Sequence, residues 1–489
     1  MGLLELLIFI PLLAAALIGA GLPGKVIARS AAALNLVLVF AAISQFNGGN
    51  TLAHSYPILD NPAIAFAVKA DGLSLTMALL TCLVLIAANY QIGEDKPAIY
   101  YVSSLLIAGG AMGAFLCTDL FFLYGFHELA LIPTLLMIAI YGHGDATNRR
   151  AIAWKITVYL GVGSLILLAG LAALVVALKP ASGLTFDLAA LMQSAKDHPL
   201  PAATQAWIFT TLLVGFGTLV SLFPFHSWAA PAYATAPTPV AMLHSGVLKK
   251  FGLYGLIRIA LPLLPLGAKH ECVQQALLWM LIGNIIVIGL VTIHQQKLDT
   301  LLGNSSVMHM GYIFLGIAAG TQVAINGAVI LMFAHGISIA LLFALCGRMR
   351  NQLGTLEFSK LGGLAANAPF LTVMFAFGTF ASIGLPGLAN FAGEVMVFLG
   401  AFDTNLNDGL KLIHWATILG LWGVVMSAVY MLRAYRSLFF GKAASGHFMS
   451  DPVITQRLSL VLLAVVLLVV GCCPGLITGL LKDLTIAAP

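Results

Sequence analysis

The stretch LVSLFPFHSWAAPAYATAPTPVAMLHSGVLKKFGLYGLIR, residues 219–258, is apolar enough to sit in a bilayer and yet carries Pro224, Pro231, Pro237 and Pro239. Proline removes a backbone donor, so a helix broken at membrane depth has to be buried in protein or line water. A second interruption, SIGLPGLANFAGE at 382–394, carries Pro386 and Gly387. Two broken helices in one chain are the usual pointer to inverted repeats around a central ion path.

The rest of the chain supplies the membrane context. Of 489 residues, 60% are hydrophobic and only 8% are Asp, Glu, Lys or Arg, whereas a soluble domain carries about 25% charged residues. Mean hydropathy is +1.01. An apolar run of about 20 residues crosses a hydrocarbon core of about 30 Å. Hydropathy and loop punctuation predict spans near 3–21, 28–46, 72–90, 98–117, 119–141, 152–177 and 206–228. The others fall near 238–262, 273–292, 298–319, 323–347, 368–402, 412–437 and 456–481. The expected fold is an all-α polytopic bundle of about fourteen spans. The breaks then fall in spans 7 and 12. Their odd separation makes spans 4–8 and 9–13 two inverted five-helix repeats. The chain divides accordingly into N-terminal helices (1–97), a first repeat (98–262), a second repeat (273–437) and a last helix (456–481).

Loop charge sets the orientation. Lys25, Arg29, Lys96, Arg149, Arg150, Lys297, Arg348, Arg350, Lys360, Arg433, Arg436, Lys442 and Arg457 fall on one side. Lys69, Lys179, Lys196, Lys269, Lys411 and Lys482 fall on the other. Positively charged loops stay inside, so both termini are expected outside. No basic residue precedes the first apolar run, so it reads as a retained span and not as a signal peptide. The net charge of +5 belongs to topology, and no nucleic-acid partner is implied. The six Cys show no metal spacing and read as packing residues.

Charge deep inside a span costs about 2.5–3.5 kcal/mol on insertion scales, so such residues mark transport paths. Glu128 and Glu394 are deep acids, and Lys155, Lys249 and Lys250 are deep bases. His127, His226, His244, His309 and His335 lie within or beside spans. The bland alternatives are ion pairs that pin helices together and histidines that simply pack. Lys249 and Lys250 differ by about 100° around one helix, so only one is expected to face a given partner. Asn390 and Glu394 share a helical face. No Gly-rich phosphate loop, Cys cluster or His-x-x-His motif is present, so nucleotide, iron–sulfur and haem chemistry are not expected in this chain.

Specific wording then narrows the reading. The chain carries VKADGLSL (68–75), FFLYGFHELALIP (121–133), RRAIAWKITVY (149–159), PFHSW (224–228) and APTPVAMLHSGVLKKFGLYGLIR (236–258). It continues with SSVMHMGYIFLG (305–316), FAHGISIALLFALCG (333–347) and GLPGLANFAGEVMVFLG (384–400). Over nearly its whole length it resembles the antiporter-like membrane subunits of respiratory complex I (NADH:quinone oxidoreductase), closest to the M (chain 4) type. It is similar, more distantly, to large subunits of Mrp cation/proton antiporters and of membrane-bound hydrogenases.

The resemblance implies a proton-translocating subunit driven by redox partners. Glu128 would be the gated site in span 5, Lys155 and Lys250 relay bases, His309 and His335 carriers, and Glu394 the terminal acid. Lys249, His127 and His244 would be secondary. NADH, FMN, iron–sulfur clusters and quinone would belong to partner subunits, and the host would be a bacterial inner membrane. Neighbouring membrane subunits and lipid are the implied partners. Four departures weaken the match. The family's span-7 Lys is Leu219, an acid after the broken motif is Pro231, and a later Glu is Thr235. Asp-Leu-Lys also becomes Lys297-Leu298-Asp299. An Mrp-like antiporter, a hydrogenase-type subunit, or a subunit kept for architecture with an impaired path are the alternative readings.

Overall fold

The computed structural model describes residues 2–181, 183–404, 409–441 and 449–484; Lys442, counted above among the basic loop residues, lies outside them. Helices α1 (Leu3–Gly19) and α2 (Gly24–Asn47) lead into a hairpin of β1 (Ala53–Asp60) and β2 (Ala63–Lys69). The first half continues with α3 (Gly72–Gln91), α4 (Ile99–Leu116), α5 (Leu120–Tyr141), α6 (Ala146–Ala177) and α7 (Leu188–Asp197). It ends with α8 (Ala202–Val220), α9 (Ala229–Thr235) and α10, a run of short α and π turns over 238–263. Then come α11 (Glu271–Ile293), α12 (Leu298–Ala319), α13 (Gln322–Leu353), α14 (Pro369–Ile383) and α15 (Ala389–Phe402). Two further long helices, α16 (Leu412–Phe439) and α17 (Ile454–Cys472), are followed by short helical turns at Gly475–Thr478 and Leu480–Asp483.

Among the described residues, 11 helices are long and apolar enough to cross a membrane. Of the remaining expected spans, α1 and the two halves of span 12 are shorter, and span 8 is the segmented α10. Span 7 is divided into α8 and α9 and span 12 into α14 and α15, so Pro224 and Pro386 do mark the breaks.

The chain is mostly helical, as expected, with one small two-stranded sheet added. Between α2 and α3 the chain forms an antiparallel hairpin, with Tyr56 opposite Phe66 and His54 opposite Val68. Aromatic and β-branched residues on both arms favour a strand, and Asn61-Pro62 makes the reversal. The hairpin is tied to one end of the bundle. Asp119 accepts from the Ala65 N–H at 3.0 Å, and His54 Nδ1 lies 3.0 Å from the buried Glu5. The amphipathic α7 is also additional to the expected spans; it starts on an Asp187 side-chain cap at that same end.

The core lies around α13, which is buried throughout its apolar length. It packs against α3, α10, α12, α14 and α15, so any polar group on it or facing it is removed from lipid. This positions the site.

Candidate functional site

Two backbones approach closely at the centre. A Cβ on Gly246 would sit 3.0 Å from the Gly336 carbonyl oxygen, and one on Gly336 would sit 2.6 Å from the Gly246 carbonyl oxygen. With no side chain on either glycine, α10 and α13 touch, and the polar groups on either side of the contact come within bonding range. Lys250 Nζ donates to the Ser245 carbonyl at 2.6 Å and lies 2.9 Å from His335 Nδ1. The His335 ring is 5.7 Å from that of His309 on α12. His309 places Nδ1 2.8 Å from the Ser305 carbonyl and Nε2 2.8 Å from the Ser382 carbonyl, at the end of α14. Carbonyl oxygens only accept, so a neutral imidazole satisfies one of these two contacts and an imidazolium both. Lys250, His335 and His309 thus form one buried row from α10 to the second break.

Lys249 is as buried as Lys250. Its ammonium contacts the Ser306 carbonyl (3.1 Å) and hydroxyl (3.2 Å) and lies over the Tyr233 ring at 5.6 Å. The two lysines do take different partners, as their angular separation requires, but both face the interior. The reason is that α10 has protein on every side, with α3, α4, α8, α9 and α13 packed around it.

The breaks themselves differ. At the first, Ser221 adopts a left-handed conformation (φ 68°), and Asn284 of α11 supplies the missing hydrogen bonds. Its amide donates to the Ser221 carbonyl (3.1 Å) and the Val307 carbonyl (2.9 Å), and its oxygen accepts from the Phe223 N–H at 2.6 Å. Trp228 Nε1 donates to the Thr218 carbonyl at 3.1 Å. Leu219 is buried among apolar neighbours. His226 stacks on Phe223, within electrostatic reach of Lys249 and Lys155. Sequence reasoning missed Asn284; the signal was a single amide inside LIGNIIVIG (281–289).

At the second break, Gly384 (φ 80°) and Gly387 (φ 92°) turn the chain. The Glu394 carboxylate lies against Gly384, so close that a Cβ there would meet Oε2. Asn390, one turn before it, is fully buried with both amide atoms unpaired.

The remaining expected residues scatter. Glu128, about one-third exposed, accepts from the Ser164 hydroxyl, which in turn lies 3.0 Å from Tyr124 Oη. His127 Nδ1 is 3.4 Å from Glu128 without hydrogen-bond geometry, and its ring stacks on Phe251 at 3.9 Å. His244 is buried between Trp228 and Tyr233, its Nδ1 unpaired. Lys155 is exposed on the outer face of α6 beside Trp154 and Val158. Among the described residues it has neither an ion pair nor a hydrogen bond, so it is not brought together with Glu128 or with the central row.

A crevice of about 530 Å³ at the other end of the bundle is lined by His143, Lys297, Asp299, Arg350, Glu357 and Lys360. Asp299 pairs with Arg350 at 2.5 Å and Lys297 with Glu357 at 3.4 Å, so both exchanged charges find partners. Burial, and then the charge of Arg350, pull the pKa of His143 in this loop down to about 3. Among the described residues no group of three or more His, Cys, Asp or Glu could hold a metal ion.

Residues 117–420, spanning both breaks and the row between them, match the family described as NADH:quinone oxidoreductase/Mrp antiporter, TM. The chain belongs to this family. It is 33% identical over 427 residues to NADH-quinone oxidoreductase subunit M of Pseudomonas aeruginosa, covering 85% of this chain and 80% of that one. It is 34% identical over 392 residues to NAD(P)H-quinone oxidoreductase chain 4 3 of a Picosynechococcus strain, covering 80% and 69%. A chain in the structure of respiratory complex I from Thermus thermophilus with bound NADH superposes with a TM-score of 0.88. It is 29% identical, and 98% of each chain is covered. A chain of the Mrp complex from Dietzia sp. shares the fold at a TM-score of 0.85 and 19% identity, with 98% and 95% covered. This member of the oxidoreductase/antiporter family is therefore a multi-pass membrane protein whose relatives are antiporter-like subunits of complex I.

Proposed function

We propose that this chain is a proton-translocating membrane subunit of an NADH:quinone oxidoreductase, moving protons along the Lys250–His335–His309 row. The observation that carries the reading is the row itself: two bases and a histidine poised between carbonyls, buried in a chain of this family. A charge that deep is costly and is retained for transport. Lys250 passes a proton to His335 Nδ1, and His309 accepts it between Ser305 and Ser382. Glu394, beyond the second break, serves as the exit group, with unpaired Asn390 hydrating the gap. Glu128 loads the row from the α5 side through His127. Lys249 and His244 hold the flank, and Lys155 takes no part in the internal transfer. The redox steps, with NADH, FMN, iron–sulfur clusters and quinone, take place in partner subunits that pack along the exposed helix faces.

The same reading places 98–262 and 273–437 as inverted repeats in a bacterial inner membrane with both termini outside, in line with the loop charges. A second reading, a subunit kept for architecture, is favoured by Leu219, which leaves Glu128 without its expected lysine.

Inverted membrane vesicles carrying Lys250→Ala test the proposal, with NADH oxidation and proton uptake recorded together. Fewer protons moved per NADH, with the complex assembled, supports it. Unchanged uptake would leave the architectural reading standing.

A further inference from the structure

Below Lys250, toward the end of the bundle that carries the hairpin, the same face of α10 presents Tyr254 and then Arg258. Residues four apart stack along one side of a helix, so these three make a line about 12 Å long. Arg258 ends that line at a cavity of about 780 Å³, lined also by Lys69, Asp71, Lys196, Gln205 and Asp483. The guanidinium side chain is 15% exposed, Tyr254 only 1%, and Lys250 not at all. A water-accessible vestibule therefore comes within two helical turns of the buried row.

Neither Tyr254 nor Arg258 is set to relay a proton to Lys250. The Tyr254 hydroxyl donates to the Phe115 carbonyl at 2.7 Å and accepts from Arg258 Nε at 3.2 Å. Its one proton is thus directed at a carbonyl on α4, away from Lys250. Arg258 is a guanidinium, which keeps its charge under all conditions and has no acceptor. It is also held in place. Its outer nitrogen pairs with Asp71, and Asp71 is itself fixed as the cap of α3, accepting from the Ser74 N–H at 2.9 Å. Both partners line the vestibule, and the Nε of Arg258 reaches inward to Tyr254. Fixed guanidinium groups exclude protons and cations from water-filled pores in just this position.

We infer that Arg258, locked by Asp71 and Tyr254, is an electrostatic barrier that stops protons from leaking between the vestibule and Lys250. This rests on the proposal that Lys250 carries protons. Under the orientation proposed above, the vestibule opens on the outer side, where a leak would dissipate the gradient the subunit helps to build.

The test uses the whole complex reconstituted in liposomes with an entrapped pH dye. A pH step is applied in the presence of valinomycin and potassium, without NADH, so that passive proton flux is read separately from pumping. Arg258→Gln keeps a polar amide near Tyr254 and lacks the charge; it should raise the leak severalfold. Arg258→Lys, which restores the charge, should be as tight as the wild type. Adding Lys250→Ala to Arg258→Gln should bring the leak back to the wild-type level. An assembled Arg258→Gln complex that stays tight overturns the barrier, as does one that pumps less without leaking, because Arg258 would then lie on a conduit. A leak that survives in the double variant overturns the link to Lys250. If Arg258→Gln does not assemble, Asp71→Asn decides: it retains the guanidinium and should remain tight, and a severalfold leak would overturn a barrier made by charge. None of these passive readings depends on turnover, so a failure of Lys250→Ala to lower pumping sinks the functional proposal by itself.

Discussion

The two helix breaks have similar surroundings, each with its proline exposed (Pro224, Pro386) and half-buried residues beside it, but they are completed differently. At 221–228 the freed backbone groups are taken up by protein, mainly by Asn284, and Leu219 fills the adjoining space with hydrocarbon. At 384–388 the turn is made by Gly384 and Gly387 with positive φ and by backbone bonds of its own, Leu385 N–H to the Phe380 carbonyl and Leu388 N–H to the Leu385 carbonyl. Polar groups, Glu394 and the unpaired Asn390, are left facing the gap. An interruption closed by protein is a joint. An interruption that leaves amide and carboxylate atoms without protein partners leaves room for water. Under the proposed function, the first break would be structural support and the second part of the path.

Four substitutions would break or sharpen that contrast. The largest effect is expected from Asn284→Leu, which strands the Ser221 carbonyl and the Phe223 N–H. At about 1–3 kcal/mol for each unsatisfied buried group, the loss totals about 2–6 kcal/mol. It should appear as a lower unfolding temperature and less assembled subunit; a wild-type melting curve would show that Asn284 is no joint. Next, Gly384→Ala sets a methyl group against Glu394 in a backbone conformation that disfavours side chains. We expect a loss of about 1–3 kcal/mol together with reduced pumping, checked by thermal melts and proton uptake in parallel.

Asn390→Leu should cost less than about 1 kcal/mol, because no protein hydrogen bond is lost, and yet lower the protons moved per NADH. If it destabilised the fold as Asn284→Leu does, the two breaks would be alike. The smallest effect belongs to His143, whose backbone N–H donates to the Thr235 carbonyl at 2.7 Å, just beyond the first break. Its folded pKa, about 3, lies below the ordinary 6.5. The unfolded chain therefore binds the extra proton first, and stability falls as pH drops from about 6.5 toward 3. His143→Asn should flatten that part of the acid-unfolding profile and leave neutral pH unchanged; a parallel profile would exclude His143 as a contributor.

Most of the transmembrane architecture was legible because long apolar runs leave few alternatives. The expected 298–319 and 412–437 became Leu298–Ala319 and Leu412–Phe439. Both breaks were legible from proline and glycine. The hairpin was not, because its first strand carries Pro57, which argues against a strand taken alone; pairing with the other arm settles it. In the site, hydropathy could say that Glu394, Lys250 and His335 were deep, but not which way a side chain pointed. Lys155 is the clearest case: it is deep in its span by sequence, but on the outward side of α6. Lys249 is the reverse, brought inside because α10 is enclosed by other helices, which no single helix reveals.

Gly246 and Gly336 have no ionisable group, yet they set the spacing across which Lys250 and His335 meet. One added methyl group at either would wedge two main helices apart at that point. The contact between Lys250 and His335 is thus exposed to an inherited change at positions that perform no chemistry. A survey that scored only charged residues for harm would rank both glycines as harmless.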